Sequence, residues 1–121
     1  MTGDGRHLQI GNLGDVTVIA FLDRQITDED LIDSICQQVF HLVDGEGRRK
    51  LVLDFGNVEH VSSAFLGFLT SLHRKMRELS GRVSICNLTP DIYKIFEITN
   101  LNRIFHIFND QESALSLFGE D

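Results

Sequence analysis

The sequence predicts an α/β fold in which about four helices pack on a mixed β-sheet of about five strands. Apolar runs of strand composition alternate with segments whose apolar residues recur every three or four positions. The run over residues 50–55 has no polar alternation in its centre, which is typical of a strand that is covered on both faces. Capping and turn residues separate the segments, and the predicted order is β-β-α-β-α-β-α-β-α.

The first half of the chain predicts a hairpin followed by a helix. Residues 8–10 and 16–21 have strand composition, and the sequence between them, residues 11–15, predicts a loose turn. Thr27 is predicted to cap the first helix, because three acidic residues follow it where the helix dipole favours negative charge. Apolar residues then repeat at helical spacing until the glycine-containing segment 44–47 ends the helix.

The second half predicts two further helix–strand pairs and a terminal helix. Thr89 followed by Pro90 is a strong helix start, since proline suits the first helical position. The predicted elements are a strand from Lys50 to Phe55, a helix from Ser63 to Leu79, a strand at Val83–Cys86, a helix from Pro90 to about Thr99, a strand at Ile104–Phe108 and a last helix that Asn109 opens with Glu112 as a capping box.

Composition predicts one globular domain over residues 1–121, with a core at about residues 8–118. A chain of 121 residues is long enough for one core, and 42% of it is hydrophobic. The net charge of −7 argues against binding to nucleic acid or to an anionic membrane, because both need a basic surface. Two small basic clusters, residues 48–50 and 73–77, are interpreted as solvated faces.

The sequence also predicts a cytoplasmic protein with free thiols. No apolar run reaches the roughly 18 residues that a membrane span requires. Residues 1–6 lack the apolar core of a signal peptide. Cys36 and Cys86 lie in apolar segments without a neighbouring cysteine, so both are predicted to be buried and unpaired.

No pattern in the chain indicates catalysis, a metal site or a cofactor. The five histidines are scattered without metal spacing, and no glycine-rich loop precedes a helix in the context that binds phosphate. Ser63 does not lie in a Gly-x-Ser-x-Gly turn. Asp54, at the end of a strand, is interpreted as a residue that binds turn backbone rather than as an acid–base partner of Glu59. We therefore predict no catalytic residues.

Two adjacent serines, Ser62 and Ser63, open the second helix. A serine at this position can cap the helix, and a phosphate there would change the local charge by about two units. On residue types alone, the favoured interpretation is that one serine caps the helix and the other packs near it. The following run, residues 64–69, is apolar on all sides. Either all of it is core, or part of it faces a partner.

The chain resembles a STAS domain of the anti-sigma-factor-antagonist type over about residues 8–118. The resemblance rests on several segments that occur together and in order. They are Leu51-Val52-Leu53-Asp54-Phe55 with Val58, Ser63-Ala64-Phe65-Leu66-Gly67, the segment from Gly81 to Pro90, and Phe96-Glu97-Ile98-Thr99-Asn100-Leu101.

This resemblance implies a partner switch. The unphosphorylated antagonist would bind a serine kinase of the histidine-kinase ATPase fold, which itself holds a sigma factor. Phosphorylation would release the antagonist, and a serine phosphatase would reset it. Ser63 aligns with the phosphorylated serine, and Ser62 is the alternative. The expected partner-binding residues are Asp23, Glu59, His60, Ser62, Ser63, Ala64, Phe65, Leu66 and Phe68.

Two positions depart from the family pattern. Ser62 stands where the family has aspartate, which is expected to alter kinase recognition or to move phosphorylation to Ser62. Phe65 stands where the family has glycine, and it is expected to add bulk where a partner backbone approaches. Two other functions stay open: a STAS scaffold that binds partners without being phosphorylated, and a domain that senses a nucleotide or another small ligand.

Overall fold

The structure, a computed structural model, describes residues 7–118. In chain order its strands are β1 (Leu8–Leu13), β2 (Val16–Phe21), β3 (Gln25–Ile26), β4 (Lys50–Asp54), β5 (His60–Val61), β6 (Arg82–Cys86) and β7 (His106–Phe108). Its helices are α1 (Glu29–Phe40), α2 (Ser63–Glu78), α3 (Pro90–Ile98) and α4 (Gln111–Ser116). A π-helical turn follows α1 at His41–Gly45, and a 3₁₀ turn lies at Leu101–Arg103.

Five strands form a mixed sheet in the order β1-β2-β4-β6-β7. β1 runs antiparallel to β2, while the other neighbours in this sheet are parallel. The helices between consecutive parallel strands make the crossovers that such pairing requires. The predicted fold class and the order of the main elements are therefore confirmed.

The sheet has apolar contacts on both faces. Leu51 and Leu53 of β4 lie in the larger core cluster together with apolar side chains of α1, α2 and α3. Val52, between them, points to the other face and joins a smaller cluster with Cys86 and with Ala114 of α4. Successive side chains of a strand alternate between faces, so a strand buried on both faces reads as a continuous apolar run.

Two boundaries in the first half differ from the sequence prediction. β1 continues to Leu13, which pairs with Val16, so the loose loop is a tight turn. Gly14 accommodates this turn with a φ of 64°, a conformation that favours glycine. The cap of α1 is Asp28 rather than Thr27, because the Asp28 carboxylate accepts a hydrogen bond from the Leu31 N–H at 3.0 Å.

In the second half, the start of β7 and the cap of α4 differ from the prediction, and β4, α2 and β6 each differ by one residue at one end. β7 begins at His106 rather than at Ile104, because the N–H groups of Ile104 and Phe105 both donate to the carbonyl of Leu101 and belong to the preceding turn. α4 is capped by Asp110 rather than by Asn109, since the Asp110 carboxylate accepts from the Ser113 N–H at 2.7 Å. The prediction that Thr89 caps α3 is confirmed: its hydroxyl accepts from the Ile92 N–H at 3.2 Å.

The two cysteines differ in exposure. Cys86 is fully buried, as predicted, whereas Cys36 on α1 is only partly buried. Burial raises the pKa of the Cys86 thiol to about 12, and the charges of Asp54 and Asp110 add to the shift. Burial, followed by the charge of Asp33, also raises the pKa of Cys36. The thiol of Cys86 is therefore protonated and shielded at neutral pH.

We expect Phe65→Ala to lower the free energy of unfolding by about 3–5 kcal/mol, because Phe65 is fully buried and the deletion leaves a cavity. Urea unfolding followed by circular dichroism measures the change. Tyr93→Ala is the matched control, since Tyr93 is 39% exposed and its truncation should cost far less. Equal losses in the two variants would contradict the assignment of Phe65 to the core.

We expect Ellman's reagent at pH 8 to modify Cys36 in the native protein well before Cys86. Burial, together with the charges of Asp54 and Asp110, raises the pKa of Cys86 to about 12, so this thiol stays protonated at that pH. In a Cys36→Ser variant, the remaining thiol should react only when guanidinium unfolds the chain. Rapid modification of that variant under native conditions would show that Cys86 is accessible.

Candidate functional site at the start of α2

The small sheet of β3 and β5 holds the segment that leads into α2. Gln25 pairs with His60 and Ile26 pairs with Val61 in parallel register. The backbone N–H of Ser62 then donates to the carbonyl of Ile26 at 3.1 Å. Each strand has only two residues, too few to produce a sequence pattern, and neither strand was predicted. This pairing fixes the point at which the chain enters α2.

The two serines have different environments. Ser62 is the cap: its hydroxyl accepts a hydrogen bond from the Phe65 N–H at 3.3 Å, and its carbonyl accepts from the Leu66 N–H at 3.2 Å. Its extended backbone, with φ −98° and ψ 169°, is typical of this position. Ser63 is the first helical residue and is exposed to solvent. The prediction that one serine caps the helix is confirmed, but the other lies on the surface instead of packing beside it.

Phe65 and Phe68 are core residues, so the expectation that their side chains face a partner is wrong. Phe65 is 0% exposed and Phe68 is 5% exposed. The Phe65 ring meets the rings of Phe21 and Phe55 edge-on, with centroids 5.4 and 6.1 Å away. The Phe65 side chain, at the position where the family has glycine, therefore fills the core of this protein. It adds no bulk to the surface that a partner would approach.

Smaller side chains form the outer surface of the same turn. Ala64 and Gly67 are exposed, and Leu66 is half-buried. A Cβ atom built on Gly67 meets nothing within 4 Å, so the helix surface is bare at this position. Part of the apolar run is thus core and part is surface, which excludes the alternative that all of it is core.

Acidic residues of α1 lie beside this surface. Glu29, Asp33 and Ile32 line a shallow recess together with Ala64. In the sequence, the acidic first turn of α1 indicates only compensation for the helix dipole, and no local pattern connects it with α2. The signal was present in the topology, because consecutive right-handed crossovers place neighbouring helices side by side on one face of the sheet.

The other predicted surface residues lie near the entry to α2. The backbone N–H groups of Glu59 and His60 both donate to the carbonyl of Arg24, at 2.7 and 3.1 Å. The carboxylate of Asp23, the residue before Arg24, lies 2.9 Å from Nδ1 of His7. Arg24 and Glu59 also form a long, exposed ion pair of 3.8 Å, an arrangement that contributes little to stability.

Asp54 has a structural role at the opposite face of the sheet. Its carboxylate accepts hydrogen bonds from the Gly56 N–H at 2.9 Å, from the Asn87 amide at 3.1 Å and from the Gln111 amide at 2.9 Å. These contacts join the turn after β4 to the end of β6 and to α4. The interpretation of Asp54 as a residue that binds turn backbone is confirmed.

Within residues 7–118, no cluster of three or more His, Cys, Asp or Glu side chains could hold a metal ion. In the same part of the chain, no helix is both long and apolar enough to cross a membrane.

The chain belongs to the STAS domain family, whose sequence model matches residues 16–114. BtrV of Bordetella bronchiseptica, which is named as an anti-sigma factor antagonist, is 33% identical over 73 residues, or 60% of this chain and 63% of BtrV. The match therefore spans less than two thirds of that relative.

Solved structures show the same fold. An anti-sigma factor antagonist from Mycobacterium paratuberculosis superimposes with a TM-score of 0.82 at 18% identity, covering 99% of this chain and 100% of the other. The Bacillus cell fate determinant SpoIIAA, in its phosphorylated form, superimposes with a TM-score of 0.72 at 17% identity, covering 92% and 98%. The resemblance to STAS domains that the sequence showed is confirmed.

We expect Ser62→Ala to lower the free energy of unfolding by about 1 kcal/mol, because it removes the side-chain cap of α2. Ser63→Ala should change it by no more than about 0.5 kcal/mol, because Ser63 is exposed. Chemical unfolding of the two variants in parallel measures the difference. A larger loss in Ser63→Ala than in Ser62→Ala would reverse the assignment of the cap.

Proposed function

We propose that this protein is a non-enzymatic anti-sigma factor antagonist that works by partner switching. It binds an anti-sigma factor that is a serine kinase of the histidine-kinase ATPase fold, and that kinase phosphorylates Ser63. The proposal draws on family membership, on the name of the relative BtrV and on the phosphorylated form of the structural neighbour SpoIIAA. A cytoplasmic location and reset by a serine phosphatase complete it.

The observation that carries the proposal is that the two serines have different environments: Ser62 caps α2, and Ser63 is exposed. Ser62 is half-buried and its hydroxyl accepts the Phe65 N–H, so modification at Ser62 would remove the cap. Ser63 is exposed at the first helical position, where a kinase can reach its hydroxyl without unfolding α2. This difference favours Ser63 over the alternative Ser62 as the phosphorylated residue.

A phosphate on Ser63 has opposite effects in the free and the bound protein. In the free protein it is tolerated, because the first N–H groups of α2 have no helical acceptor and the dipole favours negative charge there. In a complex it would have to be desolvated beside Ala64, whose recess is lined by the carboxylates of Glu29 and Asp33. A dianion without a counterion on this side opposes close packing of a partner.

The surface next to Ser63 suits close approach of a partner. Ala64 and Gly67 have small side chains and are exposed, and half-buried Leu66 lies between them. A partner that covered this surface would exclude water from Ser63. The free-energy cost of placing a phosphate charge there would then be largest. Of the expected partner-binding residues, Asp23, Glu59, His60, Ser62, Ser63, Ala64 and Leu66 remain in the proposal.

A STAS scaffold that binds its partner without phosphorylation is the second candidate. The replacement of the family's aspartate by Ser62 favours it, because the residue directly before Ser63 has no carboxylate. In that case Ser63 is only an exposed helical residue. The two functions predict different responses of the same surface to charge and to bulk.

The test is capture of the cognate kinase from native lysate by purified wild type, Ser63→Ala and Ser63→Asp, with identification by mass spectrometry. Wild type and Ser63→Ala should retain a histidine-kinase-fold ATPase. Ser63→Asp should fail to retain it, because the added charge weakens the binding free energy by several kcal/mol. With the captured kinase and ATP, wild type and Ser62→Ala should gain one phosphoryl group and Ser63→Ala should gain none. Equal capture by both Ser63 variants would remove the switch.

Gly67→Arg separates the switch from the scaffold. The substitution has open space around it and replaces glycine by a better helix former, so the fold should persist. Under both functions it should block the partner surface by bulk. Loss of capture in Gly67→Arg but not in Ser63→Asp would identify a scaffold, and retention in Gly67→Arg would show that the partner binds elsewhere.

A further inference from the structure

The two basic clusters that the sequence places far apart meet at one end of the sheet. Lys50 begins β4 and pairs with Arg82, which begins β6. The Arg82 N–H donates to the carbonyl of Arg49 at 2.8 Å, and the Gly81 N–H donates to the carbonyl of Met76 near the end of α2 at 2.7 Å. The segments 48–50 and 73–77 are thus neighbours around the start of β6.

Four of these basic side chains form ion pairs or hydrogen bonds that give them a structural role. Lys50 lies 2.7 Å from the Asp15 carboxylate, and Lys75 lies 3.1 Å from that of Asp44. Arg49 donates to the carbonyl of Val43 at 2.8 Å, and Arg48 donates to the hydroxyl of Thr17. These four residues tie the ends of helices and strands together.

Four other basic residues line a small, partly open cavity, and three of them, Arg77, Arg82 and His106, are exposed to solvent. His73 and Arg77 of α2, Arg82 of β6 and His106 of β7 line a space of about 130 Å³. No aspartate or glutamate of the described residues shares this lining. Within residues 7–118, none of the four forms an ion pair. Two of the four have aromatic contacts: the His73 and Phe105 ring centroids are 5.5 Å apart, and the Arg82 guanidinium lies 5.9 Å from the centre of the Phe118 ring.

This arrangement is unexpected in a chain of net charge −7. Arg77 lies in the last turn of α2, where the helix dipole favours a cation. The dipole does not explain Arg82 or His106, which begin strands rather than end helices. Like charges that share a cavity repel each other, and an anion between them would remove this cost.

We infer that this cavity binds a phosphate-type oxyanion. Guanidinium groups match tetrahedral oxyanions through paired N–H donors, and two of them line the space together with two imidazoles. Pockets for drug-sized ligands measure roughly 300–1,000 Å³. The smaller cavity here fits a free ion, or the single phosphate group of a larger molecule whose remainder lies outside.

The titration of His73 is consistent with this site. Burial lowers the pKa of His73, and the nearby charge of Arg77 lowers it further. The other charged or titratable groups that line the cavity are Arg82 from β6 and His106 from β7. A bound anion stabilises the imidazolium and raises this pKa, so anion binding should strengthen as the pH falls and His73 becomes protonated.

The experiment is an NMR titration of the purified, isotope-labelled full chain with inorganic phosphate and, separately, with AMP at constant ionic strength. We expect saturable shifts at the amides of Gly81, Arg82 and His106, and a rise in the pKa of His73. Arg77→Gln and Arg82→Gln should each weaken binding about tenfold, since each removes a charge-assisted hydrogen bond. Arg74→Gln is the matched control, because Arg74 lies on the same helix but lines a different surface depression.

Each outcome decides the inference. Equal affinity for phosphate and AMP supports a site for the free ion, and tighter binding of AMP supports a site for the phosphate group of a larger molecule. The inference is overturned if neither anion gives saturable shifts, if Arg74→Gln weakens binding as much as Arg82→Gln, or if the pKa of His73 does not move. No partner protein is present in this experiment, so its result is independent of the proposed switch at Ser63.

Discussion

The position of the first turn of α2 depends on the packing of one aromatic side chain. The Phe65 ring packs edge-on against the rings of Phe21 on β2 and Phe55 after β4, which also contact each other. Phe55 in turn meets Phe96 of α3, with ring centroids 6.1 Å apart. This cluster joins two strands and two helices, and edge-to-face aromatic pairs add to the free energy of simple burial. Because Phe65 is only two residues after Ser63, its fixed ring also fixes where the Ser63 hydroxyl reaches the surface.

Local hydrogen bonds then give the two adjacent serines different properties. The β3–β5 pairing and the bond from Ser62 to the Ile26 carbonyl hold Ser62 in extended backbone just before the helix. In that conformation its hydroxyl satisfies one of the N–H groups that every helix start leaves unpaired. Ser63, one residue later, has the helical conformation and points its side chain to solvent. Two adjacent residues therefore differ in role: the Ser62 hydroxyl caps the helix, and Ser63 is exposed to solvent.

Charge is distributed unevenly over the fold. Acidic residues of α1, including Glu29 and Asp33, lie beside the start of α2, at which Ser63 is exposed. Basic residues lie around the end of α2 and the starts of β6 and β7, where Arg82 and His106 share a cavity. The net charge of −7 is a sum over the whole chain and does not show that acidic and basic residues are separated in space. The surroundings of the two ends of one helix therefore differ in the sign of their charge.

The sequence predicted most of the fold because its signals are local. Helical spacing, the Thr89–Pro90 start and the apolar run of β4 are each produced by a few adjacent residues, and the main element order followed from them. The misplaced caps at Thr27 and Asn109 were errors of one residue, since the neighbouring Asp28 and Asp110 can make the same bond. The two-residue strands β3 and β5 carried no local signal, because long-range pairing alone creates them.

The candidate site was predicted only in part. The sequence by itself determined that two serines open an apolar helix and that the chain resembles a STAS domain. The tertiary structure decided which serine caps the helix, that Phe65 and Phe68 are buried, and that Glu29 lies beside Ala64. It also brought together basic residues from segments far apart in the chain. The physical reason is that burial and electrostatic environment depend on contacts between distant residues, whereas caps and periodicity depend on near neighbours.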